Sequence, residues 1–118
     1  MGNLIYDGTN YQIDDRPLQH LEAAVQSKLV RHESFLLSWT VPRDLGAGRI
    51  AVWMGPTIPV QFRFHGNRTP QLDRSWVELM LRISYTAHGL VLVDEEKVRA
   101  IRRGEMTIGD LTREAPAA

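Results

Sequence analysis

The stretch that decides the fold is Glu33–Phe64, ESFLLSWTVPRDLGAGRIAVWMGPTIPVQFRF. Its first part alternates, with Phe35, Leu37 and Trp39 on one side of an extended chain and Ser34, Leu36, Ser38 and Thr40 on the other. A period of two predicts a strand. Pro42-Arg43-Asp44-Leu45-Gly46-Ala47-Gly48 then has the proline and glycine content of a connecting loop, and RIAVWM resumes with Ile50, Val52 and Met54 on one face. The two runs read as an antiparallel hairpin. Pro56 and Pro59 break the pattern before VQFRF, which alternates Val60, Phe62 and Phe64 against Gln61 and Arg63 and is expected as the third strand of a meander.

Toward the N-terminus, Leu4-Ile5-Tyr6 and the run through Tyr11 and Ile13 flank Asp7-Gly8, a pair that supplies the positive φ angles of a tight hairpin. Asp14-Asp15-Arg16-Pro17 follows, with carboxylates available to cap orphan amides and a proline whose missing N–H costs nothing there. A helix begins at this point. Leu18, Leu21, Val25 and Leu29 form its apolar stripe, while Gln19, Glu22, Gln26 and Arg31 lie largely on other faces.

Toward the C-terminus, His65-Gly66-Asn67 makes a turn, and Thr69-Pro70 or Asp73 caps a second helix, with Ser75 and Glu78 at capping-box spacing as an alternative start. Leu72, Trp76, Leu79, Met80 and Ile83 are its stripe, and Gly89 ends it before a short strand at Leu90-Val91-Leu92-Val93. The element order is ββαβββαβ. The expected fold is α+β in two layers, an antiparallel or mixed sheet with both amphipathic helices on one face. Residues 1–94 form the single domain. Residues 95–118 are a tail with a short helix carrying Val98 and Ile101, stopped by Gly104, then Met106, Ile108 and Leu111 and a loose end from Glu114 to Ala118.

At 118 residues the chain suits one domain, and 43% apolar with 24% charged residues is the balance of a folded globule. No cysteine is present, which excludes disulfides, thiolate metal sites and cysteine nucleophiles. The opening MGNLIYDG lacks a basic leader with an apolar core, and no run is long enough to span a bilayer, so a soluble cytoplasmic protein is expected, with no membrane partner. Net charge is zero, which makes nucleic acid a poor default partner.

Three segments carry a resemblance. DDRPLQHLEAAVQSKLVRHESFLLSW, GRIAVWMGPTIPVQFRFHGNR and the W-x-E-x-M-L-R helix at Trp76–Arg82 resemble small uncharacterised actinobacterial proteins, from a host or its phage, that carry a domain of unknown function. The likeness spans roughly Asn3 to Val93. Some of those relatives bear an automatic label of ATP-dependent DNA ligase, which implies nucleotidyl transfer from a lysine in a K-x-D-G motif. Lys28 is followed by Leu29-Val30-Arg31 and Lys97 by Val98-Arg99-Ala100, so that chemistry is rejected here.

Other chemistry is equally unsupported. His20, His32, His65 and His88 are dispersed without metal-ligand spacing, and the carboxylates beside them, Glu22 and Glu33, read with them as solvated surface groups. Asp14 and Asp15 read as caps in preference to paired catalytic acids. Gly46-Ala47-Gly48 joins strands and lacks a phosphate-loop lysine. No catalytic residue, metal or cofactor is therefore expected, and the chain is not expected to be an enzyme.

The surface that stands out is the second face of the meander, where alternation gathers Ser38, Arg49, Ala51, Trp53, Gln61 and Arg63, with Arg43 and Arg68 on nearby turns. An indole among guanidinium groups suits base stacking or a phosphate-bearing ligand. Packing under arginine stems, under the tail or against a second copy explains Trp53 more simply. Trp39 and Trp76 are in register with apolar stripes and belong to the core. The tail residues Val98, Ile101, Met106, Ile108 and Leu111 either join a dimer interface or fold back onto their own domain. The resulting expectation is an interaction or regulatory module acting as a homodimer with a protein partner, the alternative being nucleic-acid or nucleotide binding through the Arg/Trp face.

Overall fold

Asp7 and Gly8 both take positive φ, 47° and 85°, which sets Tyr6 opposite Thr9 and pairs Gly2–Tyr6 (β1) antiparallel with Thr9–Ile13 (β2). In this computed structural model, which describes residues 1–67 and 71–114, the chain continues through α1 (Asp15–Val30), β3 (Phe35–Thr40), a 3-10 turn at Arg43–Leu45, β4 (Arg49–Met54) and β5 (Val60–Arg63). It then forms α2 (Arg74–Ser84), β6 (Leu90–Val91), α3 (Glu95–Arg102) and α4 (Ile108–Glu114). The fold is mixed α+β, in the order expected. Among the described residues no helix is long and apolar enough to cross a membrane.

The expected meander is corrected in one respect. β3 and β4 do form the antiparallel hairpin, with Leu36 opposite Trp53 and Thr40 opposite Arg49, but β5 does not join it. Gly55–Pro59 is too long for a tight hairpin, and Pro56 and Pro59 have no N–H to give a ladder. The chain therefore crosses over. β5 pairs antiparallel with β1, Phe62 against Leu4, and Asp7 N donates to Pro59 O at 3.0 Å. Two three-stranded sheets result, β2-β1-β5 and β4-β3-β6, with β6 parallel to β3.

The core lies between these sheets and the first two helices. Leu4 and Tyr6 of β1, Leu18, Leu21 and Val25 of α1, Phe35, Leu37 and Trp39 of β3, and Trp76, Met80 and Ile83 of α2 belong to one buried cluster. Tyr11 closes edge-on against Trp39, ring centres 5.2 Å apart, so the two sheets touch through an aromatic pair. Trp76 is buried and its indole N–H donates to Val93 O at 2.7 Å. Both core tryptophans stand where their stripes put them.

Helix starts differ from the simplest reading. Asp14 occupies the N-cap position of α1 without a side-chain cap, and Asp15 instead accepts the His65 and Gly66 amides at 3.3 and 3.2 Å, holding the turn after β5. A carboxylate that reaches a distant turn is no longer available to its own helix. α2 is capped by Asp73, whose Oδ1 accepts the Ser75 amide at 3.1 Å; the Ser75 start is not used, and Thr69-Pro70 lies outside the described residues. Leu72 precedes the helix and is exposed. His20 is not a surface group. It is fully buried, stacked on Trp76 at 4.1 Å, donating from Nδ1 to Arg16 O at 2.8 Å and accepting at Nε2 from Asp73 N at 2.9 Å.

The tail packs on its own domain. Val98 and Leu111 are buried in the core, and Ile101, Met106 and Ile108 pack against it half-buried. Arg16 grips Glu95 with two parallel bonds of 3.0 and 2.7 Å, and Arg102 bonds Asp73 and Ser75, so α3 is clamped at both ends.

Leu111→Ala is expected to lower the unfolding free energy by about 2–3 kcal/mol in a urea titration, because it empties a core site. Asp73→Ala should cost about 1 kcal/mol and Asp73→Asn, which keeps a capping oxygen, less. The Arg102 guanidinium holds the Asp73 carboxyl well below the usual carboxylate range. A depressed folded-state pKa means the stabilisation is complete above about pH 4 and drains as pH falls through the folded value. The stability gap between the wild type and Asp73→Asn should accordingly be widest near neutrality and narrow on acidification.

Candidate functional site

The last turn of α1 builds the site. His32 takes the left-handed conformation, φ 59°, so that its N–H reaches Leu29 O at 2.9 Å and the Glu33 N–H reaches Lys28 O at 3.1 Å. This reversal folds Glu33 back over Lys28, with Oε1 2.9 Å from Nζ. The Lys28 side chain is only 3% exposed, and Nζ also donates to Ser84 Oγ at 2.9 Å from the end of α2. Tyr85 and Phe35 complete the enclosure, their ring centres 4.1 and 5.2 Å from the ammonium. Hydrogen bonding to Lys28 holds the Glu33 carboxyl below the ordinary glutamate value. The Tyr85 hydroxyl accepts from Arg31 at 2.9 Å and lies 3.3 Å from both Glu33 oxygens, so one network links the ends of both helices.

An open groove of about 480 Å³ adjoins this cluster, lined by Tyr85, Trp53, Phe35, Leu36 and the Lys28–Glu33 pair. Trp53 reaches it from β4, directly across from Leu36. Gly89 shapes the far wall: its φ is 73°, and a Cβ there would lie 2.6 Å from Leu36 O, so only glycine lets the link into β6 pass this close to β3. The Lys28 charge is already met by Glu33, Ser84 and two rings, which leaves the groove an aromatic surface in place of an open anion hole.

Of the residues singled out by alternation, Ser38, Arg49, Ala51 and Trp53 do share the outer face of the β3–β4 hairpin. Gln61 and Arg63 do not join them, because β5 went to the other sheet, where they stand opposite Ile5 and Asn3. Ser38 is buried, and with Arg49 it lines a second groove of about 320 Å³ that Lys97 and Leu111 border from the tail. Arg43 is exposed on the 3-10 turn; Arg68 lies outside the described residues. Lys28, Tyr85 and Glu33 were not anticipated as site residues. A signal existed for Lys28, since it lies three and seven residues after Val25 and Leu21, on the buried side of α1. Among the described residues, no three His, Asp or Glu side chains converge as metal ligands would.

These features define a class, a two-sheet α+β domain with an aromatic-walled surface groove over a buried ion pair. The chain belongs to the DUF7882 family, a domain of unknown function matched by residues 1–95. No curated protein and no solved structure matches it.

Replacing Lys28 by methionine, which keeps length and apolar contact, should leave stability within about 1 kcal/mol of wild type. Glu33→Gln should be the more damaging change, since it strands the buried ammonium. Acid titration separates the two: the contribution of Glu33, present above its unfolded pKa and lost as pH falls through its lowered folded value, should vanish from the Lys28→Met stability profile.

Proposed function

We propose that this chain is a cytoplasmic, non-enzymatic interaction module that acts by self-association and by holding a protein partner. The observation that carries this reading is the pair Trp53 and Tyr85, 60% and 62% exposed and both lining one groove. Single apolar residues on a surface are ordinary, but two large rings framing one concavity are the composition of a protein contact centre. Rigid rings lose little rotamer entropy on binding, and a paired charge beneath them gives no reactive group for chemistry. The groove suits an apolar or aromatic side chain from a partner.

A second reading, nucleic-acid or nucleotide binding, rests on Arg49 and Trp53 sharing one face of β4. It has lost Gln61 and Arg63 to the other sheet, and zero net charge offers phosphate backbones no long-range attraction. Light scattering of the full chain should give twice the monomer mass, and Trp53→Ala should raise the dimer dissociation constant about tenfold or more. A monomer that instead forms a salt-sensitive complex with a mixed single-stranded oligonucleotide would favour the second reading over the first.

A further inference from the structure

We infer that two copies of this chain join through the open edge of β4, paired antiparallel and centred on Ala51. This rests on the self-association proposed above and specifies its geometry. Among the described residues β4 has a strand partner on one side only, in the order β4-β3-β6, and on the other side the Tyr6 hydroxyl bonds Trp53 O. Exposed edges are usually guarded by lysine, proline, bulges or brevity, and RIAVWM is six residues long with no lysine or proline. β2, by contrast, is largely polar (TNYQI), and β5 has four residues and follows Pro59.

The backbone groups left free can be assigned. The Val41 N–H donates to Gly48 O at 2.8 Å, one step beyond the Thr40–Arg49 pair. Antiparallel ladders alternate, so Ile50, Val52 and Met54 turn their amides and carbonyls to β3, while Arg49, Ala51 and Trp53 turn theirs outward. The Tyr6 hydroxyl donates to Trp53 O, one of the carbonyls that this alternation turns away from β3. It takes one lone pair of that carbonyl and leaves the other.

The side chains then choose the register. A twofold axis perpendicular to the sheet keeps each residue on its own face, so facing pairs must share a face. Centring on Ala51 sets Arg49 opposite the second copy's Trp53, Ala51 opposite Ala51, and Ile50 opposite Val52. Each guanidinium covers an exposed indole, the smallest side chain sits on the axis, and the other face is apolar throughout. Centring on Arg49 opposes like charges, centring on Trp53 runs Ile50 into Pro56, and centring on Val52 leaves Arg49 facing Gly55. Centring on Ile50 sets Val52 against Gly48 and Trp53 against Ala47, both outside the strand. The Ala51 register matches every pair, and it yields one six-stranded sheet across the dimer.

The chain has no cysteine, so Ala51→Cys introduces a unique thiol. Across the axis its Cα would face its equivalent at about 5.5 Å, within disulfide range. Mild oxidation of full-length Ala51→Cys should give a covalent dimer on non-reducing electrophoresis, whereas Asn10→Cys on the β2 edge should not. Ala51→Pro removes an amide that β3 does not use and should turn the dimer into a monomer with an unchanged circular dichroism spectrum; Ala51→Lys, which opposes two charges on the axis, should do the same. A dimer that persists in Ala51→Lys and fails to cross-link at position 51 would overturn the edge while leaving self-association intact. A wild-type chain that stays monomeric at every concentration would overturn both.

Discussion

Two buried polar side chains of α1 each reach one polar group at an end of α2. His20 accepts the Asp73 amide at the start of α2, and Lys28 donates to Ser84 at its end. Both belong to one row of α1, with the small Ala24 between them letting the helices approach. The helices must therefore run in the same direction and in one register. A slip by a turn would break both bonds and leave the buried His20 Nε2 without its donor, at about 1–3 kcal/mol, while Lys28 would keep only Glu33. With α2 placed, Trp76 stacks on His20 and bonds Val93, which sets β6 beside β3, and Tyr85 arrives over Lys28. The groove is thus a product of the helix seam.

The sheets depend on a different constraint. Two prolines in five residues prevent the chain from turning back after β4, and β5 crosses to β1. That crossing leaves β4 without an outer strand among the described residues. The same strand carries Trp53 and Arg49, so the open edge and the unusual side chains are one feature. The exposure of this surface follows from where the third strand was not placed.

Much of the local structure was legible. Asp7-Gly8, the alternation of Phe35, Leu37 and Trp39, and the stripes of both helices rely on neighbours in sequence, and each stands as its pattern implies except Leu72, which lies ahead of α2 and is exposed. What escaped depends on distant partners. The pairing of β5 with β1 joins residues far apart, and the Asp15 bonds to the His65 turn could not be separated from capping by spacing alone. His20 and Lys28 sat in apolar rows, but their residue types suggested solvent, and only Asp73, Ser84 and Glu33 explain how they are tolerated inside. Leu111 lay in a stretch too short for periodicity to declare a buried face.

The measurement that bears most directly on this account is amide hydrogen exchange along β4 at low and high protein concentration. The account predicts that the outward amides of Arg49, Ala51 and Trp53 exchange fast when dilute and become protected as concentration rises, while Ile50 and Val52, bonded to β3, are protected throughout. Outward amides that stay unprotected at concentrations where the chain is dimeric would place the contact elsewhere and contradict it.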